Sequence, residues 1–147
     1  MRILVADDNP VFQNVLTTML TSWGYEVVVA VDGDEAWRVL QSEEGPRMAI
    51  LDWMMPGMDG IEVCRRVRAG SRLARAYILI LTAKAQSEDL REAMDAGADD
   101  YVTKPFKSQE LRARLRAGSR ILELEQQLRI LRGDSVDDLA GEVELAS

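Results

Sequence analysis

Met48-Ala49-Ile50-Leu51-Asp52 is the stretch on which the fold turns. Four apolar residues run without alternation and end in an aspartate, and Trp53-Met54-Met55-Pro56-Gly57 follows. An unbroken apolar run of this length reads as a strand buried on both faces, or as a piece of buried helix. Pro56 and Gly57 favour the strand, because they stop regular structure soon after the acid. Asp52 then falls at the carboxyl edge of a sheet, where open α/β proteins place their chemistry. The competing reading is a surface aspartate that caps the next segment, and the rest of the chain decides between the two.

Similar runs lie on both sides. Ile3-Leu4-Val5-Ala6 ends in Asp7-Asp8, and Val27-Val28-Val29-Ala30 precedes Asp32-Gly33-Asp34. Tyr77-Ile78-Leu79-Ile80-Leu81 ends in Thr82, and the short Tyr101-Val102-Thr103 ends in Lys104-Pro105. Between them the apolar spacing turns helical. Asn9-Pro10 supplies an N-cap and a first-turn proline for a helix with Phe12, Leu16 and Leu20 on one broad face beside Val11, Val15 and Met19, stopped by Gly24. Ala36, Val39 and Leu40 mark the second helix. Asp59-x-x-Glu62 resembles a capping box for a third, with Ile61, Cys64 and Val67 inward. Ser87-Glu88-Asp89 opens a fourth, with Leu90, Ala93 and Met94 inward, and the last starts near Ser108. Five buried strands alternating with five helices make a doubly wound α/β fold with a five-stranded parallel sheet. Residues 1–119 read as one domain without internal repeat.

Composition bounds the function. The chain has 147 residues, 47% hydrophobic and 29% charged, ordinary for a globular domain. No apolar run approaches a membrane span of about 20 residues, and the first strand is too short for a secretory signal. A soluble cytoplasmic protein is the expectation. Net charge is −7, which argues against nucleic-acid binding by this chain. Gly133 to Ser147 carries five acids and no base, and reads as an acidic mobile tail. There is no histidine, and Cys64 is the only cysteine, so neither a disulfide nor a cysteine-based zinc site can form within the chain.

In a parallel sheet all carboxyl ends share one edge, which here collects Asp7, Asp8, Asp52, Thr82 and Lys104. Crowded carboxylates repel at low effective dielectric, so something cationic must offset them. Lys104 is one candidate and a divalent ion the other. An all-oxygen donor set suits a hard ion such as Mg2+. A carboxylate beside such an ion, a hydroxyl and a lysine can accept a phosphoryl group: Asp52 attacks phosphorus, Lys104 neutralises charge on its oxygens, and Thr82 donates a hydrogen bond.

These residues resemble the receiver domain of bacterial two-component response regulators. Asp7-Asp8, Leu51-Asp52 with Pro56-Gly57-Met58-Asp59-Gly60, Leu81-Thr82-Ala83 and Gly97-Ala98-Asp99-Asp100-Tyr101-Val102-Thr103-Lys104-Pro105-Phe106 stand in the family's order and spacing over residues 1–119. The resemblance implies flavodoxin-like strand order 2-1-3-4-5 and a cis Lys104-Pro105 bond. It implies that Asp52 takes its phosphoryl group from the phosphohistidine of a sensor histidine kinase or phosphotransfer protein. Asp8, Asp52 and the backbone carbonyl of Met54 would bind Mg2+, with Asp7 joining directly or through water. On phosphorylation Thr82 would swing toward the phosphoryl group, Tyr101 would move inward, and the surface of helix 4, strand 5 and helix 5 would change. Inverting a 1:99 population needs roughly 5.5 kcal/mol. One hydrogen bond to a charged group supplies about 1.5–3 kcal/mol, so Lys104 must contribute to the switch as well as Thr82. In this family Met54 and Lys84 flank the path of hydrolytic water. An apolar Met54 cannot orient it, so slow self-dephosphorylation is expected.

The last helix is expected to run to about Arg132, with Leu111 and Leu115 on the sheet and a kink at Gly118-Ser119. Residues 120–132 form a linker extension in which Ile121, Leu124, Leu128 and Leu131 follow the 3-4-3 spacing of a coiled-coil seam. Glu125 and Arg129 are spaced for an i,i+4 pair. The seam suggests a weak homodimer that responds to phosphorylation. Such a helix also resembles the linkers that join receivers to diguanylate cyclase or phosphatase modules, which would make the chain a fragment of a longer regulator. The expectation is thus a signalling module and not an enzyme with substrates of its own. The alternative is a non-catalytic receiver-like scaffold or dimerisation module. An aspartate-nucleophile phosphohydrolase would need an acid where Met54 stands, and a dinucleotide-binding enzyme would need a glycine-rich turn where Ala6-Asp7-Asp8-Asn9 stands.

Overall fold

The structure is a computed structural model and describes residues 1–70 and 75–133. In chain order it contains β1 (Arg2–Ala6), α1 (Pro10–Ser22), β2 (Glu26–Ala30), α2 (Gly33–Gln41) and β3 (Met48–Leu51). There follow α3 (Gly60–Ala69), β4 (Tyr77–Thr82), α4 (Ser87–Asp95), β5 (Asp100–Thr103) and α5 (Ser108–Leu131). The strands pair in parallel in the order β2-β1-β3-β4-β5, the order that the resemblance implies. The acidic stretch from Asp134 onward lies outside the described residues.

The unbroken apolar runs have a simple cause. Successive strand side chains point to opposite faces, and in β1, β3 and β4 both faces are covered. The edge strand β2, expected to be buried, leaves Val29 exposed and Val27 and Val28 half-buried. Leu4, Ala6, Ala49, Leu51, Ile78 and Ile80 pack with residues of α2, α3 and α4. Ile3, Val5, Met48, Ile50, Leu79 and Leu81 pack with residues of α1 and α5. Register aligns the ends: Ala6 pairs with Leu51, Leu51 with Ile80, and Thr82 with Thr103. Whatever follows β1, β3, β4 and β5 therefore emerges on one edge.

Helix starts follow local chemistry. The Asn9 side chain accepts from the backbone amides of Val11 and Phe12, with Pro10 at the first position. Asp59 accepts from the amide of Glu62 at 2.8 Å, whereas the Glu62 carboxylate pairs with Arg65 and Arg66, so half of the expected capping box forms.

Two helix faces differ from expectation. In α1, Leu16 and Leu20 are buried but Val11 and Val15 are exposed. Each precedes an inward residue by one position, about 100° away on a 3.6-residue helix, which carries it off the packed arc. In α4, Ala93 is buried while Leu90 and Met94 are exposed. Small side chains at Ala93, Ala96 and Ala98 make the contact with the sheet and leave the larger ones outside.

Helix α5 runs through Gly118 and Ser119 without a break. A Cβ on Gly118 would stand 2.6 Å from the Tyr77 ring, so this glycine marks a close approach of helix to sheet. Leu122, outside the expected seam, is buried with Leu111 and Leu115.

Candidate functional site

Of the five strand-end residues expected to converge, Asp7, Asp8, Asp52 and Lys104 meet through their side chains, and Thr82 lies next to them through its backbone bond with Lys104. The turn after β1 holds Asp7 through its backbone: the Asp7 amide donates to the Ala30 carbonyl, and Gln13 Nε2 donates to the Asp7 carbonyl. Its buried carboxylate accepts from the Asn9 amide at 2.9 Å and from Lys104 Nζ at 3.1 Å. Asp52 continues the β1–β3 ladder, its amide donating to the Ala6 carbonyl at 2.9 Å. Its Oδ2 accepts from Lys104 Nζ at 3.1 Å, and its Oδ1 accepts from the Met54 amide at 3.4 Å. Lys104 is set in the same way, its amide donating to the Thr82 carbonyl at 2.8 Å. The Lys104-Pro105 bond is cis.

The ammonium thus bridges two carboxylates that start on different strands. One oxygen each from Asp7, Asp8 and Asp52 lies within 4.8 Å of the others, with Asp8 exposed and the other two buried. Burial raises the Asp52 carboxyl above its ordinary value. Lys104 pulls it back down by hydrogen bond and charge, while the Asp7 charge adds to the rise. The donor set fits a hard divalent cation: it is all oxygen, anionic and open on the Asp8 side. Asp7, Asp8 and Asp52 are the side chains that could hold such an ion.

The floor beneath Asp52 depends on a glycine. A Cβ on Gly60 would stand 2.2 Å from the Asp52 carbonyl oxygen, so α3 can start this close to β3 only without a side chain there. The Gly60 amide closes the turn by donating to the Trp53 carbonyl at 2.8 Å.

Thr82 is buried at the end of β4, and its Oγ1 accepts from the Lys84 amide at 3.4 Å. The Tyr101 ring is half-buried and meets Trp53 edge to face, with ring centroids 6.4 Å apart. Its hydroxyl donates to the Lys84 carbonyl at 2.7 Å. Burial pushes this phenol up to about 12, and the Asp89 charge adds to the rise. Lys84 Nζ sits over the Trp53 ring at 4.1 Å and 3.8 Å from Asp89. Met54 is exposed. Asn9, Gln13, Gly60 and Trp53 were not singled out by their sequence as parts of this site. Only the N-cap at Asn9 and the turn glycine carried a local signal.

A profile described as the response regulator receiver domain matches residues 3–116. The chain belongs to the response regulator receiver family. The receiver is 46% identical over 116 residues to the DNA-binding response regulator MtrA of Mycolicibacterium smegmatis, covering 79% of this chain and 49% of that protein. It is 42% identical over 116 residues to the DNA-binding dual master transcriptional regulator RpaA of Synechocystis, covering 79% and 48%. This receiver therefore spans about half the length of the curated relatives it matches. Among solved structures, it resembles a CheY-like receiver domain protein of Methanospirillum hungatei with TM-score 0.76 and 27% identity, covering 84% of this chain and 97% of that one. It also resembles the receiver domain of the sensor histidine kinase PA1611 of Pseudomonas aeruginosa, with TM-score 0.69, 37% identity and coverage of 83% and 93%. That structure has a magnesium ion coordinated in its active-site cleft. No helix among the described residues is long and apolar enough to cross a membrane.

Proposed function

We propose that Asp52 is the phosphoacceptor of a two-component phosphorelay. One observation carries the reading: Lys104 Nζ reaches both Asp7 and Asp52 at 3.1 Å, in a pocket where Asp8 also converges. A carboxylate oxygen of Asp52 attacks phosphorus on the phosphohistidine of a sensor histidine kinase or phosphotransfer protein. The new P–O bond forms as the P–N bond to the partner's imidazole breaks. Lys104 neutralises charge on the phosphoryl oxygens, and the Thr82 hydroxyl donates to one of them. Asp7, Asp8, Asp52 and the Met54 carbonyl would hold Mg2+, which when bound supplies further charge neutralisation at the phosphoryl group. Thr82 and Tyr101 both contact Lys84 in the loop between β4 and α4, so a move of Thr82 reaches Tyr101 through that loop. The responding surface is then α4, β5 and α5.

The relatives of which this receiver matches about half the length are named as DNA-binding regulators. By analogy, this receiver controls an output carried by another segment or partner, acting in the cytoplasm where kinase and regulator meet. Residues 120–132 would serve as the linker.

Incubation with acetyl phosphate and magnesium, followed by intact mass, tests the acceptor. One stable phosphoryl adduct is expected, absent in Asp52→Asn. Unmodified wild-type protein, or an adduct that persists in the variant, contradicts the assignment. Steady release of inorganic phosphate would indicate a hydrolase instead.

A further inference from the structure

Lys104 has a third neighbour that the phosphoryl-transfer reading does not use. Its Nζ stands 4.0 Å from the centroid of the Phe12 ring, in addition to its two carboxylates. Phe12 lies in the first turn of α1, directly after the loop that carries Asp7 and Asp8. The ring meets Phe106 edge to face with centroids 6.0 Å apart, and both are packed against the buried cluster of that face. Phe106 follows Pro105, so the same turn that presents Lys104 also braces the ring beneath its ammonium.

The three contacts are not equivalent. Asp7 and Asp52 are also among the side chains that could hold a divalent cation, and Asp52 is the group to be phosphorylated. A cation or a phosphoryl group on these carboxylates weakens their hold on the ammonium. The ring face is the contact that neither can take. Its negative quadrupole attracts a cation without hydrogen-bond geometry, and the attraction strengthens where water is excluded. A lysine head on a flexible four-carbon stem otherwise has solvent as an alternative.

We propose that Phe12 is a positioning residue. Its ring keeps the Lys104 ammonium beside Asp52 when the carboxylates are otherwise engaged, so that Lys104 meets the incoming phosphoryl oxygens. The role rests on the reading of Asp52 as acceptor, but the contact itself can be read without it.

The test compares wild type with Phe12→Leu, which keeps an apolar side chain on α1, and Phe12→Tyr, which keeps the ring face. Proton NMR of the Lys104 Cε methylene reports the contact through ring-current shift. Phosphorylation by acetyl phosphate in magnesium chloride reports the consequence. In wild type an upfield methylene shift is expected both without metal and in saturating magnesium. Phe12→Leu should lose the shift and form the adduct about three- to tenfold more slowly, while melting cooperatively. Phe12→Tyr should behave as wild type in both measurements. The proposal is overturned if Phe12→Leu reacts at the wild-type rate, if Phe12→Tyr is as slow as Phe12→Leu, or if magnesium abolishes the wild-type shift. Wild-type protein that takes up no phosphoryl group would sink the acceptor reading itself, and the shift would still show whether Phe12 holds Lys104.

Discussion

Asp52 stores the tension of the site. Burial raises its carboxyl, and the neighbouring Asp7 charge adds to that, while Lys104 offsets only part. A group whose folded pKa exceeds its unfolded one makes the folded state hold more protons between the two values. Its contribution to stability is therefore greatest below that window and falls as pH rises through it. In metal-free protein at neutral pH, Asp52→Asn removes a buried charge from an acidic cluster. Its melting temperature is expected to be about 2–6 °C above wild type. Lowering the pH through the carboxylate range should shrink that difference, because wild type then gains the proton that the amide mimics. A difference that widens on acidification would show that the Asp52 charge stabilises the fold. Met54 tests the other end of the reaction. An exposed thioether offers no hydrogen bond with which to orient an attacking water. The purified acyl phosphate is expected to last minutes in magnesium, and loss within seconds, followed by intact mass, would contradict this.

Elements transmit what single residues start, and glycines set their spacing. Gly60→Ala would drive a methyl group into the carbonyl of Asp52, a residue whose amide is bonded to the Ala6 carbonyl on β1. The backbone must shift, at a cost of about 2–3 kcal/mol, seen as a lower urea midpoint with unchanged slope and slower phosphorylation. Gly118 does the same work for α5. Gly118→Val should push the helix off the Tyr77 ring and raise hydrogen exchange at Leu122 while leaving Leu111 protected. At this scale the strands were legible and the helix faces less so. Runs such as Met48–Leu51 and Tyr77–Leu81 can be apolar throughout only because helices cover both sides of the sheet, so their sequence carries their environment. A helix covers the sheet along a narrow arc, and Val11, Val15, Leu90 and Met94 are apolar without lying on it. The convergence of Asp7, Asp52 and Lys104 could be read because parallel topology forces strand ends together. The Phe12 ring under Lys104 could not: it arises from how α1 leans against the turn after β5, and no local pattern encodes that. Glu125 is similar. Its spacing suggested Arg129, yet it stands 3.6 Å from Arg75, which also pairs with Asp99 before β5.

At the scale of the whole molecule, α5 is the part that reaches beyond the sheet. Leu111, Leu115 and Leu122 are buried, and Arg114 ties the helix to Asp100 on β5 at 2.8 Å. The residues of the expected seam face outward: Ile121 is 40% exposed, Leu124 56%, Leu128 53% and Leu131 81%. Pairing four such side chains from each of two copies gains about 10 kcal/mol at full contact. Association costs roughly 4–15 kcal/mol in lost freedom and side-chain ordering. The two terms are close, so a homodimer through this seam should be weak and sensitive to small changes in how α5 is held. The route for such a change is short. Lys104 ends the segment that begins at β5, β5 carries both Tyr101 and the Arg114 partner, and α5 follows directly. Sedimentation of the 147-residue chain with and without beryllofluoride and magnesium is expected to show a shift toward dimer on addition of the mimic. Leu124→Glu with Leu128→Glu should abolish the shift and leave acetyl phosphate uptake intact, since neither residue touches the acidic pocket. A chain that stays monomeric in both states at high micromolar concentration would remove the seam from the signalling path. The exposed leucines of α5 would then need another partner.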